Sequence, residues 1–258
     1  MPPTSPGQAP PESTPTAQGR HNAPEPPAAP VTDGYTLDAP PEAAPPRIES
    51  VFYGRDPALL RQLLAFYAKP GARILDATAN ARRMWSGVET DPRPVFLDLD
   101  PSVQPDVVGD FRAMPFEPES FDVIVFDPPH LPASQTTAGD EGFGKRFGLG
   151  LSELAWRGAS PYFAPFLAEA ARVLRRDGLV FAKLKDFING REHVWTLVDF
   201  INAVRATPGM TPCDVVVKRD PAGGTMSSST WKRANHARNV HCWWVVVRKG
   251  GCEPRGAR

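Results

Sequence analysis

The stretch "FDVIVFDPPHLP", residues 121–132, decides how this chain is read. An apolar run ends abruptly in an acid, two prolines and a histidine. Proline has no N–H for a strand ladder, so Pro128 and Pro129 lie beyond the strand. The run predicts a buried strand over 121–127 that delivers Asp127, a rigid dipeptide and His130 to one edge of a sheet.

Outward from that strand, short apolar runs alternate with amphipathic segments. Further strands are predicted over 73–78, 94–100, 106–111, 179–185, 213–219 and 241–249. In "RDPALLRQLLAFYAKPG" (55–71), Asp56 reads as a helix cap and Pro57 as the first helical residue. Leu60, Leu63, Leu64 and Tyr67 then share one face. "SPYFAPFLAEAARVLRRDG" (160–178) reads as a helix with a Ser start and a Gly stop. "EHVWTLVDFINAVRAT" (192–207) reads as a third, with Val194, Leu197, Val198 and Ile201 on one face. Within it His193 falls on the surface and Trp195 in the core, while Trp243 and Trp244 read as packing residues. The predicted fold class is α/β, a Rossmann-like seven-stranded, mostly parallel sheet with helices on both faces and an antiparallel C-terminal edge strand.

The 258 residues suffice for one sizeable core with a tail left over. Residues 1–46 hold 14 of the 31 prolines and almost no bulky apolar side chains, so they are predicted to be a disordered tail whose partner is unknown. One domain is expected over 47–250, with a disordered end at 251–258. The net charge is zero, yet residues 214–258 carry nine Lys/Arg against Asp214, Asp220 and Glu253. That imbalance permits a polyanionic partner. Cys213, Cys242 and Cys252 are odd in number and lack CxxC spacing, which argues against a disulfide framework or a zinc site and for a reduced compartment. With no apolar run of membrane-spanning length and no basic-then-apolar start, a cytoplasmic location is expected.

In open α/β sheets ligands bind beyond the carboxyl ends of the strands. Here Asp76, then Asp98 and Asp100, then Asp110, then Asp127 follow four successive predicted strands. Each alone is an ordinary turn former. Together they suit a cofactor with ribose hydroxyls and an exocyclic amine. The phosphate-cradling patterns GxGxxG and GxxxxGK[ST] are absent from the sequence, which fits a nucleoside cofactor without phosphate.

On these residues the chain from about 50 to 250 resembles the class I S-adenosylmethionine-dependent methyltransferases. Asp127-Pro128-Pro129-His130 is similar to the catalytic tetrapeptide of enzymes that methylate amino groups of nucleic-acid bases. The ending "KRANHARNVHCWWVVVRK" resembles the last hairpin of small bacterial and phage DNA methyltransferases. The resemblance implies S-adenosylmethionine as cofactor, held by Tyr53, Asp76, Ala77, Thr78, Asn80, Asp98, Leu99, Asp110 and Phe111. Within that set Asp98 would grip the ribose hydroxyls, Asp110 the adenine amine, and Phe111 the adenine ring. Gly54 and Asp56 would sit with Tyr53 near the methionine moiety. The usual glycine-rich loop reads Thr78-Ala79-Asn80-Ala81-Arg82 here, where Asn80 can supply a left-handed conformation. Arg82 and Arg83 are open between a carboxylate or phosphate contact and plain surface.

The implied chemistry uses two acceptors, the Asp127 carboxylate and the Pro128 carbonyl, each taking one N–H of an aromatic amine. His130 offers a flat face for the extruded base. No metal is required. Nucleic-acid contacts are expected from Lys145 and Arg146 in a glycine-rich loop, from Lys185, and from Lys218, Arg219, Trp231, Lys232, Arg233, His236 and Arg238, where cations and aromatics interleave. Lys183 and Asp186 are open between lining the target pocket and ordinary strand-end roles. The expected activity is methylation of adenine N6 or cytosine N4 in DNA. Alternatives are an RNA base amino-methyltransferase and a non-catalytic nucleic-acid-binding protein on the same scaffold.

Overall fold

Short strands alternating with helices fold in the order the periodicity predicts, with several shifted boundaries. The computed structural model describes residues 47–130, 160–189, 192–219 and 239–252. Within them run β1 (Val51–Tyr53), α1 (Asp56–Tyr67), β2 (Ile74–Asp76), β3 (Val95–Asp98), β4 (Val107–Val108) and β5 (Phe121–Phe126). Then come α2 (Phe163–Val173), β6 (Leu174–Leu184), β7 (Phe187–Asn189), β8 (Glu192–Val194), α3 (Thr196–Ala206), β9 (Met210–Arg219) and β10 (His241–Lys249). Expectations for 1–46, for most of 251–258, and for Lys145, Arg146, Trp231, Lys232, Arg233, His236 and Arg238 lie outside the described residues.

Eight strands form one sheet in the order β1-β9-β10-β6-β5-β2-β3-β4, one more than expected because Val51–Tyr53 pairs in parallel with β9. All neighbours are parallel except β10, which runs antiparallel to both β6 and β9. The antiparallel pair lies toward one edge as predicted. Within it the C-terminal strand takes the inner place, and β1 covers the outside. Its run "CWWVVV" is apolar on both faces, which suits a strand with neighbours on both sides.

Period-two alternation divides the core. Val123 and Val125 of β5 and Trp244 and Val246 of β10 face α1, against Leu59, Leu60 and Leu63. Ile124, Phe126, Val245 and Val247 face α2 and α3, against Phe166, Leu167, Phe200 and Val204. The helices therefore cover both faces, and Phe126 stacks on Phe166 with ring centroids 3.6 Å apart.

Four local expectations are corrected. Asp56 is the first residue of α1 and makes no cap bond; Arg55 holds the cap position, also without a side-chain bond. The helix expected over 160–178 stops at Val173, because Ser120 N bonds Val173 O and Arg175 pairs with Asp122 at 2.9 Å, drawing "LRRDG" into β6 as a bulge. The helix expected from 192 begins at Thr196, because Glu192–Val194 pairs with Phe187–Asn189 as a hairpin. Val198 is consequently 50% exposed and Trp195 55% exposed, stacked on His193 with centroids 4.0 Å apart. The inward face of α3 is Leu197, Phe200, Ile201 and Val204. Finally, Cys213 and Cys252 form a disulfide, Cα–Cα 5.7 Å, against the expectation of reduced thiols. The antiparallel return of β10 along β9 brings residue 252 back beside the start of β9. No helix among the described residues is long and apolar enough to cross a membrane.

Candidate active site

The chain travels outward from β2 to β4, then returns to the other side of β2 with β5. The switch point thus lies between the ends of β2 and β5, the ends of Asp76 and Asp127. Register carries the parity across. Val125 pairs with Asp76 on one side and Phe181 on the other, and Phe126 pairs with Ala182. One residue later, Asp127 and Lys183 stand together on the α1 face. Lys218, paired in register with Cys242, shares that face. The crest of the sheet therefore carries a row of ionisable groups, in sheet order Asp98, Asp76, Asp127, Lys183 and Lys218. Asp56, at the start of α1, closes over the lysines, 3.0 Å from Lys183 Nζ and 3.0 Å from Lys218 Nζ.

Asp127 meets Lys183 Nζ through Oδ2 at 3.2 Å and His130 Nε2 through Oδ1 at 2.6 Å. Burial opposes its charge, but Lys183 and then His130 outweigh burial and hold its pKa at about 2. It is a carboxylate at neutral pH. The two oxygens thus have different neighbours, Oδ2 facing Lys183 and Oδ1 facing His130. Pro128 and Pro129 are buried and His130 half-buried. The prolines fix where the Pro128 carbonyl points.

The loop after β2 is knitted to its neighbours. Ala77 N donates to Val125 O and Ala79 N to Leu97 O, with both alanines buried. Thr78 Oγ1 accepts from Asp127 N at 2.8 Å. Asn80 takes φ 43°, the left-handed conformation expected of it, and donates its N–H to Asp98 Oδ2 at 2.7 Å. Asp98 Oδ1 accepts from Asp100 N at 3.0 Å, and each Asp98 oxygen keeps a further lone pair for a hydroxyl. Arg82 bends over the Phe96 ring, 4.5 Å from its centroid, and donates to Gln104 O, so it is a structural residue.

Asp76 is 1% exposed. Burial pushes its carboxyl up to about 7, against hydrogen bonds from Trp85 Nε1 at 2.6 Å and Thr78 N at 3.0 Å, while Asp127 and Asp98 push the same way as burial. Three acids on adjacent strand ends, the central one reluctant to ionise, form a place that a cation relieves.

Other predicted residues are used differently. Asp110 is gripped by Arg112 through Nε and Nη2, down to 2.6 Å, so its oxygens are already engaged. Burial would raise its pKa, and Arg112 holds it below the ordinary value instead. Phe111 is a core residue, at T-shaped angles to Phe126 and Phe166 with centroids 5.3 and 6.1 Å away. Leu99 lies half-buried in the bend after β3. Tyr53 ends the outermost strand, five strand positions from β2, roughly 24 Å at sheet spacing. It is exposed beside Arg219, away from the Asp76 loop. Lys218 is only 2% exposed and paired with Asp56, so it faces inward and not toward a nucleic acid. Lys185 is half-buried and Arg219 exposed, both at the crest.

Asp186 is buried and structural. It accepts from Leu197 N at 3.0 Å, capping α3 from outside, and from Trp243 Nε1 at 2.9 Å. Asp186→Ala is expected to cost about 1–3 kcal/mol of stability through the lost cap and the unpaired indole. An unchanged urea midpoint would show that α3 is capped by something else. Burial also pushes the free Cys242 thiol up to about 11, leaving it unreactive at neutral pH.

The sequence singled out Lys183, Asp56 and Lys218 one by one, but not their pairing with one another. The signal was present in parity. A lysine at a buried position of "LVFAKLK" requires a counter-ion, but the strand cannot say which acid supplies it.

No family model matches this chain, and no curated protein matches it in sequence. Among solved structures it is similar to TrmN from Thermus thermophilus, at 19% identity and TM-score 0.46 over 75% of this chain. That match takes in 48% of TrmN, so this chain spans about half its length. An S-adenosylmethionine-dependent methyltransferase from Methanosarcina mazei aligns at 10% identity and TM-score 0.46, covering 71% of this chain and 95% of that one. The 1,6-didemethyltoxoflavin-N1-methyltransferase of Burkholderia thailandensis, solved with S-adenosylhomocysteine, aligns at 18% identity and TM-score 0.45, covering 76% and 77%. At these scores the meaning of the site rests on its own residues.

Proposed function

We propose that this chain is an S-adenosylmethionine-dependent methyltransferase that methylates an exocyclic amino group of a DNA base, adenine N6 or cytosine N4. The observation that carries the reading is Asp127. It is ionised, it stands at the switch point, and it is followed by two buried prolines. Its Oδ2 is held by Lys183, and its Oδ1 faces only the ring of His130.

The residues present fit the cofactor. A cationic ligand suits the Asp76–Asp98–Asp127 end of the row, where burial, with Asp127 and Asp98 adding to it, pushes a carboxyl up to about 7. Asp98 has lone pairs to spare for ribose hydroxyls. Ala77, Thr78 and Asn80 form the loop beneath. When bound, S-adenosylmethionine supplies a methyl group on a positively charged sulfur.

The amine is a poor nucleophile because its lone pair is delocalised into the ring. Asp127 Oδ1 and the Pro128 carbonyl each accept one N–H, letting the nitrogen become more tetrahedral and aiming its lone pair. His130 leaves its contact with Asp127 to cover the face of the base. Asp127 is also the first acceptor for the proton that the amine sheds. The choice of DNA rests on the basic run before β10, of which residues 220–238 lie outside the described part.

The deciding experiment incubates the full chain with methyl-labelled S-adenosylmethionine and, separately, DNA, tRNA and rRNA. Nucleosides are then identified by mass spectrometry. N6-methyladenine or N4-methylcytosine from DNA is the expected product. Label in RNA alone would move the assignment to an RNA amino-methyltransferase. DNA binding without calorimetric binding of S-adenosylmethionine would make the chain a non-catalytic scaffold.

A further inference from the structure

We propose that Lys183, anchored by Asp56, is the positioning residue of this site: it takes one oxygen of Asp127 and so presents the other to the incoming amine. The inference rests on the methyltransferase reading for the identity of the amine, and on geometry for the rest.

A carboxylate on a strand end can turn about its last side-chain bond and offer either oxygen. Lys183 Nζ donates to Asp127 Oδ2 at 3.2 Å, which removes that freedom. Lys183 itself is held by Asp56 Oδ2 at 3.0 Å, and Asp56 is held in turn by the buried Lys218. The result is a continuous chain, Lys218–Asp56–Lys183–Asp127, running along the crest from β9 to β5. It ends on Asp127, whose other oxygen, Oδ1, lies off the chain and faces His130 at 2.6 Å.

An ion pair formed only to neutralise a buried lysine would need one acid. Lys183 has two, and burial, which alone would lower its pKa, is outweighed by Asp127 and Asp56 together, so its charge is secure. The pairing keeps Asp127 charged where burial alone would favour the protonated acid, which accepts hydrogen bonds less well.

The charged and titratable groups facing Asp127 are His130 from its own segment, Asp76 from β2 and Lys183 from β6. Asp56 from α1 reaches it through Lys183. Cys242 and Lys218 lie farther along the row.

The test follows the Asp127 carboxyl carbon by NMR in cofactor-free full chain labelled at aspartate, with Asp127→Asn identifying the resonance. Lys183→Met is expected to raise the titration midpoint by about 1–3 pH units, the usual effect of losing an opposite charge at this distance. Lys183→Arg should restore it to within about one unit. In methyl transfer, Lys183→Met is expected to lower kcat about 10²-fold, the scale of a roughly 1 Å misplacement, with the cofactor KM little changed. Lys183→Arg should recover most of that loss. Should Lys183→Met not fold, Lys183→Gln takes its place in both measurements.

An unmoved midpoint, or an undiminished kcat, would overturn the positioning role. The titration is independent of turnover. Failure of the wild-type chain to transfer methyl to any nucleic acid would instead strike the functional reading, while the midpoint still decides whether Lys183 clamps Asp127.

Discussion

Asp127→Ala is expected to reduce methyl transfer by about 10²–10³-fold, the scale of deleting one preorganised hydrogen-bond partner of a reacting group. The loss should fall on kcat. The amine is held by Asp127 most strongly when its nitrogen has become tetrahedral, and Asp76 and Asp98 remain to favour S-adenosylmethionine. The fold should survive, because Lys183 keeps Asp56 as a counter-ion at 3.0 Å. Asp127→Asn is the sharper variant. It keeps the volume and one acceptor oxygen, but its amide N–H₂ must face either Lys183 or the substrate amine, and both are donors. It should therefore be nearly as inactive as alanine. Equal transfer by wild type and both variants would remove Asp127 from the chemistry. A further readout is built into the row. Loss of the Asp127 charge relieves Asp76, so the Asp76 carboxyl should titrate lower in both variants, whether or not turnover is measured.

The second large effect is on stability against pH, and it arises from Asp76. Its carboxyl titrates near 7 in the folded protein and near 3.8 when free. Because the folded pKa is the higher one, the folded state binds the proton more tightly. The stabilisation is complete below about pH 4 and is lost as pH rises toward and through 7, the reverse of an acid held in an ion pair. Between pH 5.5 and 8.5 this single group should cost the cofactor-free protein about 2 kcal/mol. Asp76→Asn cannot ionise, so its stability should be flatter by that amount across the same window. The absolute level is a poorer guide, since asparagine cannot accept from both Trp85 and Thr78 through two oxygens. Urea unfolding of both proteins at the two pH values checks the difference in slope. Parallel pH profiles would mean that Asp76 ionises normally. A bound cation should pull the Asp76 carboxyl back down. S-adenosylmethionine is therefore expected to stabilise the wild type more at pH 8.5 than at pH 5.5, and Asp76→Asn about equally at both.

Much of this architecture was readable in residues alone, because burial imposes a period. "FDVIVF" had to be a buried strand, and Pro128-Pro129 had to end it. The acids after β2, β3 and β5 then had to share one edge, since parallel strands all finish on the same side. The left-handed turn at Asn80 followed from a loop short of glycine. Local pattern could not tell where "LRRDG" would go, because a helix end and a bulged strand start look alike until Arg175 meets Asp122. It placed Trp195 in the core because it assumed a helix where the chain makes a hairpin first. It set Lys218 outside with the other cations, although strand parity turns it inward onto Asp56. It offered Asp110 and Phe111 to a ligand, although Arg112 and the Phe126–Phe166 stack engage them. The sequence names the side chains that stand at the crest, because alternation and chain direction are local properties. Which of them neutralise one another is a matter of strand order, since Asp56, Asp127, Lys183 and Lys218 come from four separate segments and only packing brings their charges within 3.2 Å.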